Sequence, residues 1–92
     1  MVFIVGIHMS GRGHYHEHIE EVKWQNPETK EVGQTTVSRM VDWIDREKGV
    51  AKVTDGKRTV DVGVVRPVSG AAYLRTYADG VWTDNLLSLP KY

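Results

Sequence analysis

Apolar residues in this chain fall into runs whose period changes from one segment to the next. "VFIVGIH" at residues 2–8 is a nearly unbroken stretch of β-branched and aromatic side chains with Gly6 as its weak point, the composition of a well-buried strand. "SGRGHYH" follows as a glycine-rich loop. "HIEEVKWQN" then resumes an extended alternation, with Val22 and Trp24 on one face and Glu21 and Lys23 on the other. "NPETKEVGQ" reads as a turn that redirects the chain around Pro27. At "TVSRMVDWIDREKG" the period becomes helical: Val37, Met40, Val41 and Ile44 stand at i, i+3, i+4 and i+7, while Arg39, Asp42, Asp45 and Arg46 lie off that stripe. Thr36 or Ser38 can cap the helix start by accepting a backbone N–H bond, and Gly49 suits the left-handed position that ends a helix. Lys48 near the last carbonyls complements the dipole.

The second half of the chain returns to extended patterns. "VAKVTDGKRTVDVGVV" predicts a hairpin that turns at Asp55-Gly56, with Val60, Val62 and Val64 alternating on its outgoing arm. In "AYLRTYADGVWTDN", Tyr73, Arg75 and Tyr77 share one side of a strand, Leu74 and Thr76 the other, and Asp79-Gly80 marks a turn. Leu86, Leu87 and Leu89 form a closing segment too apolar to float free, so it folds back onto the core. These elements predict an α+β domain in the order ββαβββ: a mostly antiparallel sheet of four to five strands with one helix packed on one face. One helix covers one face only. The other face is therefore wet, covered by the C-terminal segment, or used for contact.

Composition narrows the function classes. A chain of 92 residues is expected to fold as a single domain around one core. Hydrophobic residues at 40% and charged residues at 26% are ordinary globular values and argue against disorder. Twelve Lys plus Arg balance twelve Asp plus Glu, so no general field draws in phosphates, nucleic-acid binding is disfavoured, and self-association meets little charge repulsion. With no cysteine, disulfides and thiolate metal sites are excluded and a cytoplasmic location is expected. "MVFIVGIHM" has neither the basic start nor the length of a signal peptide or membrane span.

"GHYHEHIEEVKWQNPETKEVG", "SRMVDWID" and above all "YLRTYADGVWTDNLLSLP" resemble the small bacterial and actinobacteriophage proteins grouped as the DUF3892 family. The likeness extends from about His8 to the C-terminus. It implies a compact domain and carries over no activity, substrate or catalytic residue. It also implies that a phage-encoded member can use such a domain to occupy a host protein.

Three clusters carry candidate chemistry. His14, His16 and His18 would share one face if residues 14–18 were extended, with the outer pair about 7 Å apart at the strand rise. Such a face can offer imidazole nitrogens to zinc or another divalent metal, with His8 the only further recruit. Closed zinc sites draw ligands from two separated segments, and no second His or Cys pair follows, so a polar strand edge is the commoner reading. Arg12 between Gly11 and Gly13 can present a guanidinium and backbone N–H groups to an anion, although glycines so placed more often only permit a turn. Tyr73, Arg75 and Tyr77, with Trp82 beyond the turn, offer the aromatic and arginine mix of binding hot spots. The plain alternative is that these rings fill the core. Ser10, the histidines and Asp79 or Asp84 include the residue types of a catalytic triad, but no nucleophile elbow or comparable signature joins them.

The expectation is thus a non-enzymatic interaction domain that binds a protein partner or a second copy of itself through the Tyr73 to Trp82 region. A metal- or small-ligand module on His14, His16 and His18 is the alternative.

Overall fold

In the computed structural model, which describes residues 1–92, seven strands form one sheet that a single α-helix crosses. The strands are β1 (Val2–Met9), β2 (Ile19–Gln25), β3 (Val32–Thr36), β4 (Ala51–Thr54), β5 (Thr59–Val65), β6 (Tyr73–Ala78) and β7 (Val81–Thr83). Helix α1 (Val37–Arg46) lies between β3 and β4, and a short 3-10 turn at His16–His18 leads into β2. The order across the sheet is β3-β2-β1-β4-β5-β6-β7. Every pairing is antiparallel except β1 with β4, which is parallel.

The α+β class and the dominance of antiparallel pairing hold, whereas the strand count and order need correction. β3 sits where a turn was expected. Asn26 supplies that turn, its Oδ1 accepting from the backbone N–H groups of Glu28 and Thr29, and Lys30 takes a left-handed φ of 65° before the chain pairs back on β2. β7 is added because Asp79 and Gly80 both have positive φ, the conformation of a tight hairpin turn whose twist matches the flanking strands. The parallel β1–β4 pair needs a long crossover, and β2, β3 and α1 supply it.

Two bulges keep the alternation of β1 and β2 aligned with the core. Val5 is the extra residue between the pairs Ile4–Trp24 and Gly6–Lys23, and Glu20 is the extra residue between His8–Glu21 and Met9–Ile19. Ile4 and Ile7, three positions apart, thereby both point inward despite their odd spacing, as the continuous apolar run requires. The inner face joins Val2, Ile4, Ile7, Val22, Ala51, Val53, Val62 and Leu74 to Val37, Met40 and Val41 of the helix in one core.

Helix α1 starts as its sequence predicts, with Thr36 Oγ1 accepting from the Arg39 amide. It ends differently. Lys48, with φ of 56°, holds the left-handed position expected of Gly49, and the Gly49 amide donates to the Trp43 carbonyl. Gly49 is needed for space instead: a Cβ there would stand 2.3 Å from the Trp43 indole.

The C-terminal segment folds back as expected and does more than cover apolar surface. Leu86 is completely buried, and Leu87 and Leu89 pack beside it. Because β4 pairs with β1 only at Val2 and Phe3, the edge of β1 beyond them is open, and residues 90–92 fill it: the Ile7 amide donates to the Pro90 carbonyl and the Tyr92 amide to the Ile7 carbonyl. Tyr92 then lies on the outer face, where its hydroxyl donates to Glu21, its main-chain oxygen meets the His8 ring, and Lys23 sits 4.4 Å above its ring centre. No helix is long and apolar enough to cross a membrane.

Candidate functional site

The outer face of β5, β6 and β7 carries the aromatic and arginine cluster read from the sequence. Alternation along β6 buries Leu74 and Thr76 and turns Tyr73, Arg75 and Tyr77 to the opposite side. Tyr77 pairs in register with Trp82 on one neighbour and with Asp61 on the other. The two rings meet edge to face with centroids 5.2 Å apart, a favourable arrangement for aromatic quadrupoles. Tyr77 is 41% exposed and Trp82 40%. The Trp82 indole reaches across β6 to rest over Gly63, where an added Cβ would stand 3.1 Å from its ring. Gly63 is therefore part of the site, and its place amid the valines of "VDVGVV" is the sequence signal that marks it.

Arg75 and Tyr73 occupy different surroundings. The Arg75 guanidinium donates from Nε to the Thr83 carbonyl at 3.1 Å and from Nη2 to Asp84 at 2.9 Å, so it braces the end of β7. Tyr73 is half-buried in a separate groove with Val37, Pro67 and Ala72. Beneath the brace, Thr76, fully buried, donates to the Thr83 carbonyl and accepts from the Leu86 amide, while the Thr83 hydroxyl stands 2.7 Å from both Thr76 Oγ1 and Asn85 Oδ1. This network ties β6, β7 and the C-terminal segment into one unit. Arg12 is exposed on the loop at Gly11–Gly13 that follows β1.

The histidines do not share a face, because residues 16–18 turn as a 3-10 helix and are not extended. His18 folds back over Gly13, where a Cβ would stand 2.2 Å from its side chain, and its Nδ1 accepts from the amides of His14 and Tyr15 at 3.2 Å. His14 is exposed. His16 is buried at 8% exposure, with Nε2 3.5 Å from Asp84 and no hydrogen-bond partner. His8 is drawn to Tyr92 on the outer face. No three His, Asp or Glu side chains are grouped to hold a metal ion. The geometric premise of the metal reading, three imidazoles on one strand face, is thus replaced by three separate environments.

His16 is the histidine with a perturbed proton affinity. Burial holds its pKa below the ordinary 6.5, and the nearby Arg75 charge acts in the same direction, against Asp84 and Glu17. The short approach to Asp84 does not reverse this, since that carboxylate is largely solvated and already bonded to Arg75.

No curated protein and no solved structure matches the chain. The family described as "Protein of unknown function (DUF3892)" matches residues 3–90, which span nearly all of it. With the "YLRTYADG" strand, its Asp-Gly turn and the following "DNLL" segment forming one hydrogen-bonded unit, the chain belongs to the DUF3892 family.

Proposed function

We propose that this chain is a non-enzymatic interaction domain whose contact surface is the outer face of β5–β7, centred on Tyr77 and Trp82, and whose occupant is a protein partner or a second copy of the chain. The observation that carries this reading is the Tyr77–Trp82 pair itself: two large rings fixed against each other, about two-fifths exposed, on the sheet face that the helix does not cover. Aromatic anchors of this kind lose little conformational entropy on binding and dominate hot spots. Arg75 holds the end of β7 in place beneath them through its bond to the Thr83 carbonyl. The zero formal net charge permits close approach of a second copy.

The test pairs wild type with a Tyr77→Ala, Trp82→Ala double variant, both exposed positions whose truncation leaves the core intact. Sedimentation velocity reads self-association, and cross-linking with mass spectrometry maps any captured protein onto the chain. The expected result is an association, mapped to β5–β7, that the double variant loses by about tenfold or more in affinity. A monomeric wild type whose captured partners all map elsewhere and bind the double variant equally well removes this function.

A further inference from the structure

A second site lies on the opposite face of the sheet, between α1 and the β2–β3 edge. Val2, Trp24, Thr35, Met40 and Trp43 enclose a cleft of about 360 Å³, with Asn26, Glu31 and Arg39 at its rim. That volume falls at the lower end of the range for small-molecule pockets, which combine apolar walls with a few convergent polar groups.

Both indoles are held in place by a glycine. Trp24 pairs in register with Gly33, where a Cβ would stand 2.7 Å from its ring, and Trp43 lies over Gly49 in the same way. Each ring remains half-buried rather than sunk in the core. The molecule's close ring pairs lie elsewhere, so the two indoles leave each other's faces free.

The rim supplies charges of both signs that no intramolecular partner neutralises. The ion pairs of the chain engage His16, Arg46, Lys52, Arg66 and Arg75, and neither Arg39 nor Glu31 takes part. Asn26 spends its carbonyl oxygen on the amides of Glu28 and Thr29, which leaves its NH₂ donors as the remaining capacity of this lining residue. The cleft therefore offers two aromatic surfaces, two donor groups of which one is cationic, and one carboxylate acceptor.

We propose that this cleft binds a single flat heteroaromatic anion. Its ring lies against Trp24 and Trp43, its anionic group meets Arg39 and the Asn26 amide, and a ring or exocyclic N–H donates to Glu31. A purely apolar molecule leaves Arg39 and Glu31 unanswered, and a sugar phosphate leaves the indoles bare. This inference is independent of the Tyr77–Trp82 surface, which faces away from it.

The indole N–H signals of Trp24, Trp43 and Trp82 in a proton–nitrogen correlation spectrum test it directly, with adenosine 5′-monophosphate and indole-3-acetate as probes, and adenosine and ribose 5-phosphate as controls. Saturable shifts of Trp24 and Trp43, with Trp82 unmoved, are expected from at least one probe. Arg39→Gln, an exposed helix position, is expected to weaken that probe about tenfold while the spectrum stays folded, the scale of one charge-assisted hydrogen bond. The site is overturned if neither probe shifts those two signals, if adenosine or ribose 5-phosphate binds as tightly as the probe, or if Arg39→Gln leaves binding unchanged. Failure here leaves Tyr77 and Trp82 untouched, and failure there leaves the cleft untouched.

Discussion

Truncating Leu86 to alanine tests whether the C-terminal segment is a structural member of the core or a loose cover. Leu86 has no exposed surface, belongs to the core cluster, and donates its own amide N–H to the hydroxyl of buried Thr76, which anchors its main chain. A site so fixed cannot collapse around the deleted methyl groups, so the cost combines lost transfer energy with a residual cavity, about 3 kcal/mol. A domain of 92 residues carries about 5 to 14 kcal/mol in total. The variant is therefore expected to remain folded at room temperature while its Tm falls by about 12 to 24 °C. Urea unfolding followed by circular dichroism should show a lower midpoint at unchanged slope, since the surface exposed on unfolding is the same. Half-buried Leu87 is the control, and its truncation should cost less than that of Leu86. A loss below about 1 kcal/mol at Leu86, or equal losses at both positions, would refute the assignment of this segment to the core.

Further outcomes follow from other residues. Burial, helped by Arg75, keeps the folded His16 pKa below its ordinary 6.5, so as pH falls the unfolded chain takes up this proton first; the associated stability is present above that value and is lost below it. Urea midpoints measured across this range should decline toward acid in wild type and flatten in His16→Gln, and identical slopes would contradict the burial of a neutral ring. Tyr92, pushed up to about 12 by burial and by its bond to Glu21, should give a late phenolate step in an ultraviolet titration that Tyr92→Phe removes. Gly33→Ala places a Cβ 2.7 Å from the Trp24 indole, a clash expected to cost about 1 to 3 kcal/mol and to change tryptophan emission; an unaltered spectrum and midpoint would show that the ring is not seated there.

Local periodicity made part of this fold legible. The stripe of Val37, Met40, Val41 and Ile44 marked the helix, and strict alternation in "YLRTYA" set Leu74 and Thr76 on one side and Tyr73, Arg75 and Tyr77 on the other, because both patterns depend on side-chain direction alone; which side faces the core emerged only from the packing. β3 was hidden because "VGQTT" has no apolar alternation; its single large hydrophobe, Val32, is exposed, and its Gly33 exists to admit Trp24. The histidines misled for a related reason. Two-residue spacing implies a shared face only in an extended chain, and the space left by Gly13 allows His18 to turn back instead. Parallel pairing of β1 with β4 left no local trace, since it joins residues about fifty positions apart. The Trp24–Trp43 cleft was equally invisible, being assembled from β2, β3 and α1.

The divided edge of β1 has a consequence for how the molecule is made. Of the seven strands β1 is synthesised before the other six and lies inside the finished sheet, yet its last vacant hydrogen bonds are met by residues 90–92. Until synthesis reaches them, a bare β-edge rich in valine and isoleucine stands open to any strand nearby. Chains cut short before Pro90 should thus be drawn toward intermolecular pairing, with the closing residues serving as an intramolecular stopper.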